Sequence, residues 1–205
     1  MWKSVELRLK PGFFCLLAMA VAWGAGEVLP WILLSAFCHE LGHLMLLRLF
    51  GIRPQRITLS AAGVEIEAAG QEKLSYGREL LCVLSGPAVN LLLAILFARV
   101  FSGYLFAGTN GVLAVYNLLP IRNLDGGRAL YLLVSWCSDP FRAEQVAAVV
   151  NLVTLGLLLG FAVLLLVETG NAIFCLTGGF GLVLGQLLHR RRGKQGCQTE
   201  KKQLQ

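Results

Sequence analysis

Residues 29–50, LPWILLSAFCHELGHLMLLRLF, form an apolar run long enough to cross a bilayer, yet they hold two histidines and a glutamate near the middle. A helix stacks His39 and His43, four positions apart, on one face, with Glu40 about 100° further round the same turn. This is the H-E-x-x-H spacing. Neutral imidazole nitrogens are zinc ligands, and a carboxylate one residue after the first ligand can reach a water in an open fourth position. A lone histidine in an apolar segment is ordinarily a packing residue. In a bilayer the balance changes, because insertion of an ionisable group at the centre costs roughly 2.5 to 3.5 kcal/mol, so such groups face a cavity and have a task. Two of the chain's three histidines lie in this one run.

The rest of the composition agrees with a membrane setting. The chain has 205 residues and is 56% hydrophobic, with a mean hydropathy of +0.67. That excludes a soluble or disordered chain and predicts one helical membrane domain with short loops. The net charge of +6 does not indicate nucleic acid, because Lys and Arg sit beside the apolar spans. The six cysteines lack C-x-x-C spacing and mostly lie in apolar runs, as small packing residues do.

Six spans are expected. Residues 11–23 have the look of a signal peptide but are read as a retained first helix, and residues 29–50 are the second. The third covers 78–101, interrupted by Ser85-Gly86-Pro87 and followed by Asn90, a side that faces protein because a freed backbone and a buried amide need partners. The fourth begins near Gly111 and runs to about Trp136, the fifth covers about 146–167, and the sixth about 172–188. Between spans two and three, residues 56–60 and 64–67 alternate polar with apolar around Ala61-Ala62-Gly63, which suggests a small membrane-associated β-hairpin, an ordinary interfacial loop being the competing reading. Gly156-xxx-Gly160 and Gly181-xxx-Gly185 are spacings for close helix packing. The expected fold class is therefore an all-α polytopic membrane protein with this hairpin. Residues 1–189 form its membrane domain and 190–205 a basic cytoplasmic tail on the anionic inner surface. Basic residues at the N-terminus, in alternate connections and in the tail place both termini inside, with Arg99 the one exception.

The fourth span supplies a second polar cluster. Pro120 and Gly126-Gly127 should break its helix, and irregular backbone at membrane depth is tolerated where it lines a cavity or is buried in protein. Asp125 beside that break is either an N-cap for the resuming helix or a ligand. In the expected topology spans two and four run the same way and bring His39, His43 and Asp125 to similar depth. Two imidazoles and a carboxylate leave one position for water, which is a catalytic zinc set.

HELGH in a membrane helix, SGP followed by Asn90, and NLLPIRNLDGG together resemble the site-2 protease family of intramembrane zinc metalloproteases, most of all its bacterial sporulation branch. The resemblance implies one Zn2+ per chain held by His39, His43 and Asp125, Glu40 as catalytic base, and Asn117 and Pro120 in the substrate region. It also implies a bacterial cell-membrane location, a membrane-associated protein substrate such as a transcription-factor precursor of sporulation or stress, and membrane-bound inhibitory or regulatory proteins. Members of that branch often carry a regulatory CBS domain after the membrane core, and other members of the wider family carry PDZ domains; the basic tail stands in that place here. A non-proteolytic zinc transporter or scaffold is the alternative, but it predicts several polar sites along a path, and one is visible. A different H-E-x-x-H protease would take a glutamate as third ligand, and Glu144 and Glu168 lack a matching motif.

Overall fold

The computed structural model describes residues 6–11, 14, 18, 21–22, 24–60, 63–69, 74–100 and 103–169. In chain order the elements are β1 (Glu6–Leu9), a 3-10 turn at Ala25–Glu27, α1 (Leu29–Leu49), β2 (Arg53–Ser60), β3 (Gly63–Ala69), α2 (Tyr76–Phe97), α3 (Tyr104–Leu118), α4 (Asp125–Cys137) and α5 (Pro140–Thr169). The chain divides into two compact units, Met1–Ala147 and Ala148–Gln205, and the polar cluster belongs to the first.

α1 begins with a proline in its first turn, where a missing N–H costs nothing. It stops at Gly51, whose φ of 76° is left-handed. There the Gly51 N–H donates to the Arg48 carbonyl and the Ile52 N–H to the Leu47 carbonyl, both at 2.9 Å. That is a Schellman cap, completed by packing of Ile52 with Leu47 in one apolar cluster.

α1, α2 and the Pro140–Glu168 part of α5 are long and apolar enough to cross a membrane. Their large side chains point outward: Met45 is 68% exposed, Ile95 64% and Val167 77%. Meanwhile Ser35, His39, Asn90, Asn110 and Ser135 are buried. Apolar outside and polar inside is the pattern of a multi-pass protein whose solvent is lipid.

Three details depart from the sequence reading. The third span is one continuous helix through Ser85-Gly86-Pro87, not an interrupted one, with Pro87 buried inside α2. The fourth starts earlier than Gly111 and is two helices, α3 and α4, separated by residues 119–124. The hairpin is present as β2 and β3, antiparallel, but β1 joins it in parallel with β2, giving the order β1-β2-β3. Arg56 on the central strand binds Glu6 on β1 and Glu67 on β3, each at 2.9 Å, and so ties all three strands. Arg8 and then Arg56 hold the Glu6 carboxyl below its ordinary value. Ile66 and Ala68 of β3 pack on Leu47 and Cys82, which seats the hairpin against α1 and α2. The first expected span falls largely, and the sixth span and the tail wholly, outside the described residues.

Candidate metal centre

α1 sets His39 and His43 one turn apart with their Nε2 atoms 3.1 Å from each other. The first turn of α4 delivers Asp125, whose Oδ2 lies 3.0 Å from His39 Nε2 and 3.4 Å from His43 Nε2. Donors held 2.0–2.1 Å from one ion at tetrahedral angles stand about 3.3 Å apart, so the triangle has the size a zinc site requires. Asp125 Oδ2 is buried, and although both imidazoles are at ion-pair distance it makes no hydrogen bond of acceptable geometry among the described residues. Proximity without a directed N–H is what lone pairs converging on a common point produce.

The tautomer of His43 follows from its other nitrogen. Nδ1 lies 2.8 Å from the Cys82 carbonyl oxygen, which can only accept, so Nδ1 carries the proton and Nε2 presents a lone pair. Ser85 Oγ donates to the same carbonyl at 2.6 Å. Space between the two rings is kept by Gly86 of α2: a Cβ there would come within 2.7 Å of His39 Nε2 and closer still to His43 Nε2. The donor set, its spacing and this cradle fit a metal ion of zinc's preference.

Asp125 is not the cap of α4. Leu124 occupies that position without a side-chain cap, and Asp125 is the first helical residue, its carboxylate left for the histidines. The close approach behind it explains Gly126-Gly127, because a Cβ on Gly126 would overlap the Leu118 carbonyl and one on Gly127 the Ile121 carbonyl. Residues 119–124 are held by Ile121 N–H to Leu119 O (2.7 Å) and Leu124 N–H to Ile121 O (2.8 Å), with Ile121 fully buried. Pro120 lies in this segment and shapes the break.

A cavity of about 290 Å³ opens over the triad, and Glu40 and Asn117 line it together with His39, His43 and Asp125. Asn117 Nδ2 donates to the Leu113 carbonyl at 3.1 Å. Pro120 is not among the lining residues. Asn123, which stands within NLLPIRNLDGG but was given no role from sequence, Arg128, which lies just past that motif, and Ile66 of the β3 hairpin strand also line the cavity. Arg128 is paired with Glu79 at 2.6 Å. Glu144, the rival third ligand, is paired with Arg122.

A family model described as Peptidase family M50 matches residues 101–161, which include Asn117, Pro120 and Asp125. Stage IV sporulation protein FB of Bacillus subtilis is 30% identical over 143 residues, covering 64% of this chain and 48% of that protein. Zinc metalloprotease MJ0392 of Methanocaldococcus jannaschii is 27% identical over 140 residues, covering 63% of this chain and 40% of that one. The chain thus spans about half or less of the length of these relatives. The solved site-2 protease from Methanocaldococcus jannaschii superposes with a TM-score of 0.61 at 20% identity, over 90% of this chain and 91% of that one, a likeness of fold.

Proposed function

We propose, from the likeness to peptidase family M50 over residues 101–161 and to stage IV sporulation protein FB, that this chain is an intramembrane zinc metalloprotease of the site-2 protease kind, cutting membrane-embedded or membrane-associated proteins. The observation that carries the reading is the convergence of His39 Nε2, His43 Nε2 and Asp125 Oδ2 at 3.0–3.4 Å in a cavity that Glu40 also lines. One Zn2+ held there supplies Lewis acidity, lowering the pKa of water toward about 7 and polarising a scissile carbonyl. Glu40 takes the proton of the attacking water and passes it to the leaving amine.

A substrate helix hides its carbonyls in internal hydrogen bonds and must unwind locally before attack. Asn117, beside the break made by Pro120, holds the extended segment by its backbone. Among the described residues β3 is one of the two edges of the sheet, and it contributes Ile66 to the cavity, so it can add the segment as a further strand. The full reading has six spans, a membrane domain over residues 1–189, a basic tail over 190–205 and both ends in the cytoplasm of a bacterial cell. Its substrate is a precursor of a sporulation or stress transcription factor, held in check by membrane-bound regulators. Likeness to stage IV sporulation protein FB supports the sporulation part by analogy.

The test is co-expression with a membrane-tethered precursor from a sporulating bacterium. The wild type should cut it, and Glu40→Gln should leave it intact while keeping its metal. Cleavage by Glu40→Gln at the wild-type rate would contradict the mechanism.

A further inference from the structure

We infer that Asn90 is the positioning residue that makes His39 a metal ligand, by offering its side-chain oxygen to the ring's Nδ1–H. The inference rests on the metal reading above and goes beyond it. His39 is only 5% exposed and Asn90 is fully buried, so the partner of the inner ring nitrogen comes from protein. Asn90 is that neighbour, its Nδ2 standing 3.2 Å from His39 Nδ1. Its other end, Oδ1, is buried and has no hydrogen-bond partner among the described residues.

These facts fit together through the tautomer. For Nε2 to present a lone pair beside Asp125, Nδ1 must carry the proton, and a proton in a dry site needs an acceptor. The amide N–H2 cannot accept. A half turn about the Cβ–Cγ bond puts the partnerless oxygen where Nδ2 stands, since the two ends of the amide are nearly isosteric. The ring proton then gains its acceptor and the orphaned oxygen its donor. In the unturned orientation Nδ1 accepts from Nδ2, and the ring proton sits on Nε2, 3.0 Å from Asp125 Oδ2, an arrangement that suits a ring that does not ligate. α2 therefore governs both imidazoles, His43 through a fixed backbone carbonyl and His39 through an amide that can face either way.

The experiment measures zinc affinity of the full chain in detergent by chelator competition, with the cobalt d–d spectrum as a second readout. It compares the wild type with Asn90→Asp, Asn90→Leu and Asp125→Ala. A carboxylate can accept but not donate, so Asn90→Asp should bind zinc close to the wild type and keep a tetrahedral cobalt spectrum. Asn90→Leu should bind about 10–100-fold more weakly. A role in packing alone predicts the reverse order, because Leu suits an apolar helix contact and a buried charge does not. Wild-type affinity in Asn90→Leu, or equal loss in both Asn90 variants, would overturn the inference. Should Asn90→Leu not fold, Asn90→Asp decides alone. If the wild type binds no zinc, or Asp125→Ala binds it equally well, the metal reading itself falls, an outcome distinct from failure of the Asn90 arms.

Discussion

Gly86→Ala is the smallest change that should remove the metal while leaving the helix intact. The added methyl would lie 2.7 Å from His39 Nε2 and nearer still to His43 Nε2. Favourable carbon contacts begin at about 3.5 Å, so the His39 ring must retreat by roughly 0.8 Å and the His43 ring by more. Metal–ligand distances tolerate about 0.2 Å, so neither ring can keep its bond. Zinc affinity should fall by at least the 100-fold or so seen when an outer-shell partner is lost. Ala favours a helix over Gly by about 1 kcal/mol, so α2 itself should not weaken. The assay is zinc retention by the purified variant against graded chelator, with helicity followed by circular dichroism. Wild-type retention would refute the claim that Gly86 leaves the two imidazoles room to ligate.

Further outcomes follow from the same geometry. Glu40→Gln should lower cleavage by about 10²–10⁴-fold with zinc content unchanged, read by substrate turnover and metal analysis side by side. Gly126→Ala should destabilise by about 1–3 kcal/mol or more, because its methyl meets the backbone carbonyls of Leu118 and Leu119, which cannot swing away; an unchanged melting temperature in detergent would count against this. The β1–β2 pairing should loosen in acid. Glu6 is held below its ordinary value of 4.5 by Arg8 and Arg56, so its contribution is present above that pH and is lost as pH falls through the lower folded value. The protection of the Lys10 amide, which donates to the Leu59 carbonyl, taken relative to the intrinsic exchange rate at each pH, should fall on acidification in the wild type and lose that pH step in Glu6→Gln.

What the sequence revealed depended on whether a side chain carried the signal. HELGH and Asp125 are ionisable groups in apolar runs, and the physics that makes them costly there is what draws the three together. The β2–β3 alternation was equally plain. β1 was not, because ELRL is four residues whose partner lies 50 positions away, and non-local parallel pairing leaves no local mark. The early start of α3 was hidden by Gly108, Thr109 and Asn110, which dilute the apolar run. Their cost is met by Ser35, whose hydroxyl lies 2.9 Å from that of Thr109, and by the Phe106 carbonyl, which accepts from Asn110 Nδ2. Cys82 matters through a backbone carbonyl that every residue has, so no residue type could have announced it. Asn90 was legible as a buried amide that needs a partner, but not that the partner is His39.

The most direct test of the metal centre is zinc-edge X-ray absorption on the purified full chain, with Asp125→Ala alongside. The account predicts a shell of nitrogen and oxygen only, at about 2.0–2.1 Å, with two imidazoles and loss of one oxygen ligand or of the metal in the variant. A sulfur scatterer near 2.3 Å, which would bring in the neighbouring Cys82, or a wild-type protein that holds no metal, would contradict it.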